Sequence, residues 1–342
     1  MGRAYPIDVS PSGAIILGPR VACDGFVSEA SIRVQTHIHD DHMDEFDTSK
    51  GYQDIYMSEP TRMLLIVEFD ADLPYRDNVR SLDLGIPHQI GPDELMLLSS
   101  GHMFGAVQVS LTLPDGTRLG YSGDFQWPMT EPIQVDALVL DSTYGSPRSI
   151  RGYRQEDADD ALLNIVRSKL RQGPVHINAH RGTIQRALQV LAGQLNVPIL
   201  GSARFCRETE VYRRFGCPID PVVSTTSEEG RAAMEENRWV RVYSKGDRFP
   251  VDPPPGFTIV LSAYMTSPES PVLKYSERSC RVALSDHADF EGTVEYVLAT
   301  GAQYVVTDNT RGRGVELALA LHERLGVEAR PSLSQPSYAW GV

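Results

Sequence analysis

The stretch His37-Ile38-His39-Asp40-Asp41-His42 carries the clearest functional signal in this chain. It holds three of the nine histidines and two carboxylates, directly after the apolar-alternating run 32–36. Strand side chains repeat every second residue, so a strand that ends here sends its first two histidines to one side. The following turn can bring the second aspartate and the last histidine close to them. Imidazole with carboxylate suits zinc and admits manganese or iron, so the segment predicts a site for one or two metals. A polar turn after an edge strand is the alternative.

Two further ligand types stand where strands are expected to end. His102 follows the apolar run 95–100 through a glycine, and Asp124 follows the run 117–122 through another. Glycine lets the backbone turn sharply enough to direct the next side chain inward. Alone, each is an ordinary turn residue. Beside the segment 37–42, each is predicted to be a metal ligand.

These positions resemble the metallo-β-lactamase superfamily, in which a His-x-His-x-Asp-His motif, a later histidine and a later aspartate form a two-metal site. By that resemblance His37, His39 and His102 hold one metal. Asp41 and His42 hold the other, and Asp124 bridges the two. The resemblance therefore implies two divalent cofactor ions, zinc or manganese.

Two later segments resemble the β-CASP branch of nucleases within that superfamily. They are Asp141-Ser142-Thr143-Tyr144-Gly145 and Ser285-Asp286-His287-Ala288-Asp289. In the family the carboxylate orients the histidine that faces the leaving oxygen, which implies these roles for Asp141 and His287. Such a pairing raises the basicity of the imidazole and leaves its other nitrogen for the substrate. A helix cap at Asp141 and a solvent-facing turn at His287 are the alternative.

The interval between these motifs reads as an inserted domain, because residues 150–285 are too long for a loop and alternate helix-like and strand-like runs. Helices are predicted over 154–171 and 183–195, and strands over 174–179, 197–200 and 258–262. This alternation indicates a mostly parallel sheet covered by helices. The implied fold class is α/β, a four-layer αββα metallo-β-lactamase fold formed by 1–149 and 286–342. The β-CASP cap over 150–285 is expected to lie over the metal cleft.

Composition sets limits on the functional class. The chain has 342 residues, is 41% hydrophobic and carries a formal net charge of −13. No apolar run approaches membrane-spanning length, so a soluble, cytoplasmic protein without membrane contact is expected. The four cysteines show no C-x-x-C spacing, so a thiolate zinc site is not indicated. The negative charge argues against a nuclease, because nonspecific duplex binders usually carry a basic surface. Bound divalent metals would neutralise much of an acidic cleft, and a single-stranded end needs only a few cations.

Candidate substrate contacts lie at predicted strand ends of the cap. A helix start after a strand can receive a phosphate through its backbone N–H groups; the candidates are His180, Arg181, Ser202, Arg204 and Ser262. Ordinary loop chemistry is the alternative for each. The segment also departs from the Gly-Arg-x-Gln-Glu pattern of many β-CASP members, because it reads Arg181-Gly182-Thr183-Ile184-Gln185-Arg186 and lacks the glutamate.

A second departure concerns the last metal ligand. In several relatives a late strand ends in a His-Gly that completes the second metal site, whereas here the run 303–307 leads into Asp308. Artemis-type nucleases also lack this histidine. We expect Asp308 to reach the second metal as a carboxylate, which would favour manganese or magnesium there. Its alternatives are a cap on a helix near Gly314 and a solvent-facing turn.

The resemblance implies metal-assisted hydrolysis of a phosphodiester, with Asp41, Asp141 and His287 as catalytic residues. In its overall length, in its Met1-Gly2-Arg3-Ala4 start and in Ser285-Asp286-His287-Ala288-Asp289, the chain resembles bacterial exonucleases associated with DNA ligase and helicase genes. It is also similar to Artemis-type DNA nucleases. The expected substrate is a single-stranded DNA end, with RNA as the alternative, and a ligase or helicase is the expected partner. Two other classes stay open: an ester or lactone metallohydrolase, and a catalytically silent interaction subunit. A metallohydrolase of small molecules does not need a long cap or the pair Asp141 and His287. The intact set of six metal positions argues against a catalytically silent subunit.

Overall fold

The computed structural model describes residues 5–69, 72–244, 246–248, 255–262, 268–310 and 313–332. The described residues form two compact units. The first contains those within Met1–Ile66, Asp70–Ile150 and His287–Val342, and the second contains those within Val67–Phe69 and Arg151–Asp286. The outer ends of the predicted segments 1–149 and 286–342 therefore lie outside the described residues.

The first sheet of the first unit has six strands in chain order: β1 Ile7–Val9, β2 Ile15–Leu17, β3 Val21–Cys23, β4 Ile32–Val34, β5 Asp54–Met57 and β6 Val79–Ser81. The pairs from β3 to β6 are parallel. The helices α1 Phe46–Tyr52 and α2 Glu59–Phe69 follow β4 and β5. Because β3 and β4 run in the same direction, the segments that follow them emerge at the same edge of the sheet.

The second sheet of this unit has seven strands: β7 His88–Ile90, β8 Asp93–Ser99, β9 Val107–Thr112, β10 Arg118–Tyr121, β11 Ala137–Leu140, β19 Tyr304–Thr307 and β20 Glu328–Pro331. Strands β7 to β10 pair antiparallel, and β10, β11, β19 and β20 pair parallel. The segments after β10, β11 and β19 therefore leave the sheet at one edge. They carry Asp124, Asp141 and Asp308.

Two apolar cores stabilise the first unit. One contains side chains of both sheets, among them Leu17, Val34, Val109 and Val139, which are at most 1% exposed. The other packs the second sheet against the helices α7 Phe290–Thr300 and α8 Gly314–Leu325. Burial of such aliphatic side chains contributes about 1.5–3 kcal/mol each. The strand ends that carry polar residues are thus attached to rigid layers.

The second unit contains the third sheet, whose strands are β12 Val175–Asn178, β13 Ile199–Gly201, β14 Val222–Ser224, β15 Val240–Tyr243, β16 Phe257–Ser262, β17 Val272–Ser276 and β18 Ser279–Ala283. All pairs are parallel except β17 with β18. Its helices are α3 Gln155–Leu170, α4 Thr183–Leu191, α5 Ala203–Arg214 and α6 Glu228–Glu235. The predicted mixture of helices and parallel strands is present in this unit, and the antiparallel β17 was not predicted.

One predicted element is too long. The helix expected over 183–195 ends at Leu191, because Ala192 leaves helical geometry with ψ 124°. Gly193 then takes a left-handed conformation with φ 67°. Helix propensity continues through this segment, but glycine just past a helix end favours termination.

Candidate metal centre

The histidine segment leaves β4 at the edge where the parallel strands of the first sheet end. Its two alternating histidines converge, with His37 Nε2 lying 3.1 Å from His39 Nδ1. Asp40–His42 then form a single 3-10 turn that directs His42 back into the protein. His37 and His42 are buried, His39 is half-buried and Asp41 is exposed.

Two glycine turns of the second sheet deliver His102 and Asp124. Gly101 and Gly123 have φ 72° and φ 56°, a left-handed conformation that glycine adopts without steric cost. A Cβ atom on Gly123 would lie 2.5 Å from the carbonyl oxygen of Val107, so a larger residue does not fit. The two turns are joined by a bridge between Gly101 and Phe125. This bridge holds the two side chains next to each other.

Four side chains converge on one point, namely His37, His39, His102 and Asp124, with one ligand atom of each within 4.8 Å of the others. His102 Nε2 lies 3.1 Å from His39 Nδ1. Asp124 Oδ2 lies 3.8 Å from His37 Nε2 and 3.7 Å from His102 Nε2. Three imidazole nitrogens and a carboxylate oxygen are a ligand set that suits zinc.

The other oxygen of Asp124 faces a second histidine. Asp124 Oδ1 lies 3.3 Å from His42 Nε2, and Asp41 Oδ2 lies 3.9 Å from the same nitrogen. The two oxygens of one carboxylate therefore face separate imidazole groups, which is the arrangement that a bridging ligand needs. The imidazole and carboxylate donors on both sides are of the types that bind divalent ions.

Asp24 belongs to this centre and was missed by the sequence reasoning. Its Oδ2 lies 2.9 Å from His42 Nδ1 and accepts a hydrogen bond of 2.5 Å from Thr36 Oγ1, and its Oδ1 accepts one of 2.7 Å from Thr36 N. A carboxylate on one ring nitrogen fixes the orientation and tautomer of a histidine that binds metal through the other. The available signal was an aspartate directly after the apolar run Val21–Cys23, but its glycine, Gly25, follows the aspartate, whereas Gly123 precedes Asp124.

The pKa values of the two buried histidines of the segment 37–42 shift in opposite directions. Burial lowers the pKa of His37 well below its ordinary value, and the neighbouring His42 and His39 lower it further. Burial alone would also lower the pKa of His42, but the carboxylates of Asp124 and Asp24 raise it well above the ordinary value. These pKa shifts favour the neutral form of His37, which is the form that binds a metal, and the protonated form of His42, with which a metal would compete.

His287 lies against the histidine cluster. Its ring centroid is 4.4 Å from that of His102, and its Nε2 is 3.9 Å from Asp124 Oδ2. Its Nδ1 is 3.7 Å from Asp141 Oδ2, which is longer than a hydrogen bond. Asp141 Oδ1 accepts hydrogen bonds of 2.9 Å and 2.8 Å from Thr143 N and Oγ1. The predicted pair is thus adjacent, with Asp141 also stabilising the turn that follows β11.

Asp308 follows β19 and closes a local turn. Its Oδ1 accepts hydrogen bonds of 2.8 Å and 2.7 Å from Thr310 N and Oγ1. Its own backbone N–H donates to Leu140 O at 2.9 Å, next to Asp141. Among the described residues, neither Asp308 nor Asp41 joins a group of three potential ligands. The ligand roles of these two carboxylates stay predictions.

The predicted substrate residues of the second unit differ in their surroundings. Arg181 is buried and pairs with Glu68, and its Nε lies 3.8 Å from Glu208 Oε1. Arg204 Nη1 lies 3.5 Å from Glu68 Oε2. A carboxylate partner reduces the charge that either arginine can offer to a phosphate.

The three polar candidates occupy separate positions. Ser202 is the N-cap of α5, where its hydroxyl accepts from Phe205 N at 3.2 Å. Ser262 Oγ accepts from Arg281 Nη2 at 3.1 Å, and His180 is exposed. Ser202 and Ser262 therefore have structural contacts of their own, and a substrate role for all five candidates stays a prediction.

Comparisons with known proteins give related sequences. An uncharacterized protein in the lig 3' region of Acidianus ambivalens is 30% identical over 138 residues, which are 40% of this chain and 98% of that protein. The DNA cross-link repair protein SNM1 of Arabidopsis thaliana is 29% identical over 42% of this chain and 30% of its own length. An RNase J-like protein of Methanocaldococcus jannaschii is 22% identical over 84% of this chain and 75% of its own length. The chain thus spans less than a third of the SNM1 relative.

A solved structure shares the fold. A protein of unknown function from Enterococcus faecalis V583 superposes with a TM-score of 0.56 at 13% identity, covering 81% of this chain and 74% of that one. No family model matches the chain. Within the described residues, no helix has both the length and the apolar character needed to cross a bilayer.

Proposed function

Because the chain belongs to the β-CASP branch of the metallo-β-lactamase superfamily, we propose that it is a metal-dependent nuclease that hydrolyses phosphodiester bonds of DNA. An exonuclease that acts on a single-stranded end is the form we favour, with RNA as the alternative substrate. The proposal depends above all on Asp124, whose two oxygens face separate histidine groups beside His287.

The ligand assignment follows the two sides of Asp124. His37, His39 and His102 would hold the first ion, and Asp41 and His42 the second, with Asp308 added as a further carboxylate. When bound, such ions supply an activated water and offset negative charge on the phosphoryl oxygens. Zinc suits the first position, and the more carboxylate-rich second position suits manganese.

His287 moves the proton in this proposal. Its Nδ1 is directed towards Asp141 and its Nε2 towards the cluster. Nε2 is therefore the atom that delivers a proton to the departing oxygen, and Asp141 holds the ring and stabilises its cationic form. A leaving alkoxide needs this proton, because it is a strong base.

We assign the second unit the role of the β-CASP cap and the first that of a four-layer αββα domain. Among the five candidate substrate residues, Arg181 is buried. Arg204 and the exposed His180 are therefore better placed to contact a phosphate. The relative in a lig 3' region supports a DNA ligase as a partner.

The full chain tests the proposal directly. Elemental analysis of the purified protein is expected to find two divalent ions per chain. Metal-dependent release of nucleotides is expected from end-labelled single-stranded DNA, measured beside RNA, a bis(nitrophenyl) phosphate, an ester and a lactone. Turnover of the ester or lactone without any phosphodiester cleavage would overturn the nuclease assignment.

A further inference from the structure

A buried arginine lies beneath the histidine segment. Arg33 on β4 is 0% exposed, and so is Gln35 two residues later on the same side of the chain. Charged side chains are almost never fully buried unless their donors are satisfied. Burial lowers the pKa of Arg33 to about 10, and the carboxylates of Asp24 and Asp44 act against this shift. The guanidinium therefore stays charged at neutral pH.

The donors of Arg33 reach Gln35, the backbone carbonyls of His42 and Asp44, and Ser49 on α1. Its Nη2 donates to His42 O at 3.0 Å, and its Nη1 donates to Asp44 O at 2.7 Å and to Ser49 Oγ at 3.0 Å. Its Nε and Nη2 donate to Gln35 Oε1 at 3.0 Å and 2.8 Å. These are five contacts for the five N–H groups of a guanidinium.

Gln35 carries the connection to the ligands. Its Nε2 donates to His37 O at 2.7 Å and to His42 O at 2.9 Å. It also contacts Asp24 Oδ1 at 3.3 Å, and Asp24 holds the ring of His42. The backbone carbonyl of His42 thus accepts hydrogen bonds from Arg33 and Gln35. The imidazole of the same residue contacts Asp24. None of these contacts involves a ligand atom directed at the metal position.

We propose that Arg33 and Gln35 are positioning residues for metal binding, because they fix the backbone of His42 and keep its ring beside Asp124. The inference rests on the metal-binding part of the proposed function and not on the nature of the substrate. Without Arg33 and Gln35, the ion itself would have to order the histidine segment. The free energy spent on this ordering would weaken metal binding. Loss of partners outside the ligand set commonly costs 10- to 100-fold in metal affinity, and we expect about that loss here.

The test measures metal affinity in the full chain without substrate. Dissociation constants for Zn²⁺ and Mn²⁺ are obtained by competition with a chromophoric chelator for Arg33→Met, Arg33→Lys and Gln35→Leu, and unfolding temperatures are recorded in EDTA. Arg33→Met and Gln35→Leu are expected to weaken binding of one ion by about 10- to 100-fold. Arg33→Lys is expected to be intermediate, because an ammonium has three donors.

Gln53→Leu is the matched control. Gln53 is also buried, and its Nε2 donates to Ala30 O at 2.8 Å and Val27 O at 3.3 Å, away from the histidine segment. It should lower the unfolding temperature and leave both dissociation constants unchanged. The inference is overturned if folded Arg33→Met and Gln35→Leu lose no more affinity than this control. Gln35→Leu decides alone if Arg33→Met does not fold. A chain that shows the metal effect but cleaves no nucleic acid refutes the proposed function and leaves this inference standing.

Discussion

Among the single residues, Asp124 is the most difficult to replace, because each of its carboxylate oxygens faces different imidazoles. Loss of this carboxylate would remove a ligand from both sides at once. We therefore expect Asp124→Ala to bind neither ion tightly and to lose hydrolysis, with the fold retained, as judged by elemental analysis and circular dichroism. Asp93→Ala is the control, because that buried carboxylate pairs with Arg20 instead of a histidine. Full activity of Asp124→Ala at limiting metal would refute the two-metal arrangement.

His287 is expected to act on the rate without holding metal. His287→Ala should slow DNA cleavage by about 100- to 10,000-fold, because general acids contribute that much. Metal content should be unchanged, and the loss should shrink for a nitrophenyl ester, whose leaving group needs no proton. His322→Ala, at a surface histidine of α8, serves as the control. An equal loss on both substrates would assign His287 a different role.

Asp308 tests the unusual second site. If its carboxylate reaches the ion, Asp308→Ala should need about tenfold or more Mn²⁺ for half-maximal activity. Asp308→His should shift the preference from manganese towards zinc, since imidazole is the softer ligand. Activity measured over a manganese titration compares the two. An unchanged metal requirement in Asp308→Ala would rule out the ligand role, and the turn with Thr310 would then be a structural contact.

At the scale of secondary-structure elements, α4 and α5 of the second unit are joined through buried polar side chains. Gln185 on α4 donates to Glu208 on α5 at 2.5 Å and accepts from Gly182 N at 2.8 Å. Burial raises the pKa of Glu208 well above its ordinary value, and the neighbouring Glu68 raises it further. Many β-CASP members have a glutamate directly after this glutamine, whereas this chain has Arg186. Here a carboxyl group from α5, that of Glu208, contacts Gln185.

This pKa shift predicts a pH-dependent stability. A carboxyl group whose folded-state pKa is raised favours folding below its unfolded value, and that contribution is lost as pH rises towards the folded value. Glu208→Gln removes the titration, so its free energy of unfolding should fall less than that of the wild type between about pH 4.5 and 7. Urea unfolding across this range measures the difference. A parallel decline in both proteins would contradict a protonated Glu208.

Arg181→Met provides the comparison for the same network. Removal of Arg181 leaves the buried Glu68 with Arg204 at 3.5 Å, and the loss of one partner of a buried ion pair costs up to about 3–5 kcal/mol. The variant should therefore be much less stable than Glu208→Gln in the same urea series.

At the scale of the whole molecule, charge is the dominant constraint on nucleic-acid binding. With a formal net charge of −13, the chain has little capacity for nonspecific contact along a duplex. A single-stranded end held by few cations should give a log–log salt slope of about −2 to −3, which corresponds to three or four phosphates. Fluorescence anisotropy with a metal-depleted protein measures this slope. A value near −6 would indicate an extended basic groove and contradict the expected mode of binding.

The amino-acid sequence alone was sufficient to assign the family and to identify the candidate ligands in their order along the chain. This was possible because strand periodicity and glycine turns are local properties. The direction of the side chains in the segments 37–42, 100–102 and 122–124 can therefore be predicted from the residues themselves. The family assignment drawn from these motifs is confirmed by the related proteins. The residue roles stay predictions, although four of the candidates converge within one cluster.

The side chains that support that cluster could be identified only from the three-dimensional packing. Asp24 meets His42 because β3 and β4 pair in parallel with Cys23 opposite Val34, a register that no local pattern encodes. The pairing of Arg181 with Glu68 joins residues 113 positions apart in the chain, and the buried contacts of Arg33 reach up to 16 positions, to Ser49 on α1. A buried charge must find its partners wherever packing brings them, so its role depends on the fold and not on its neighbours in sequence.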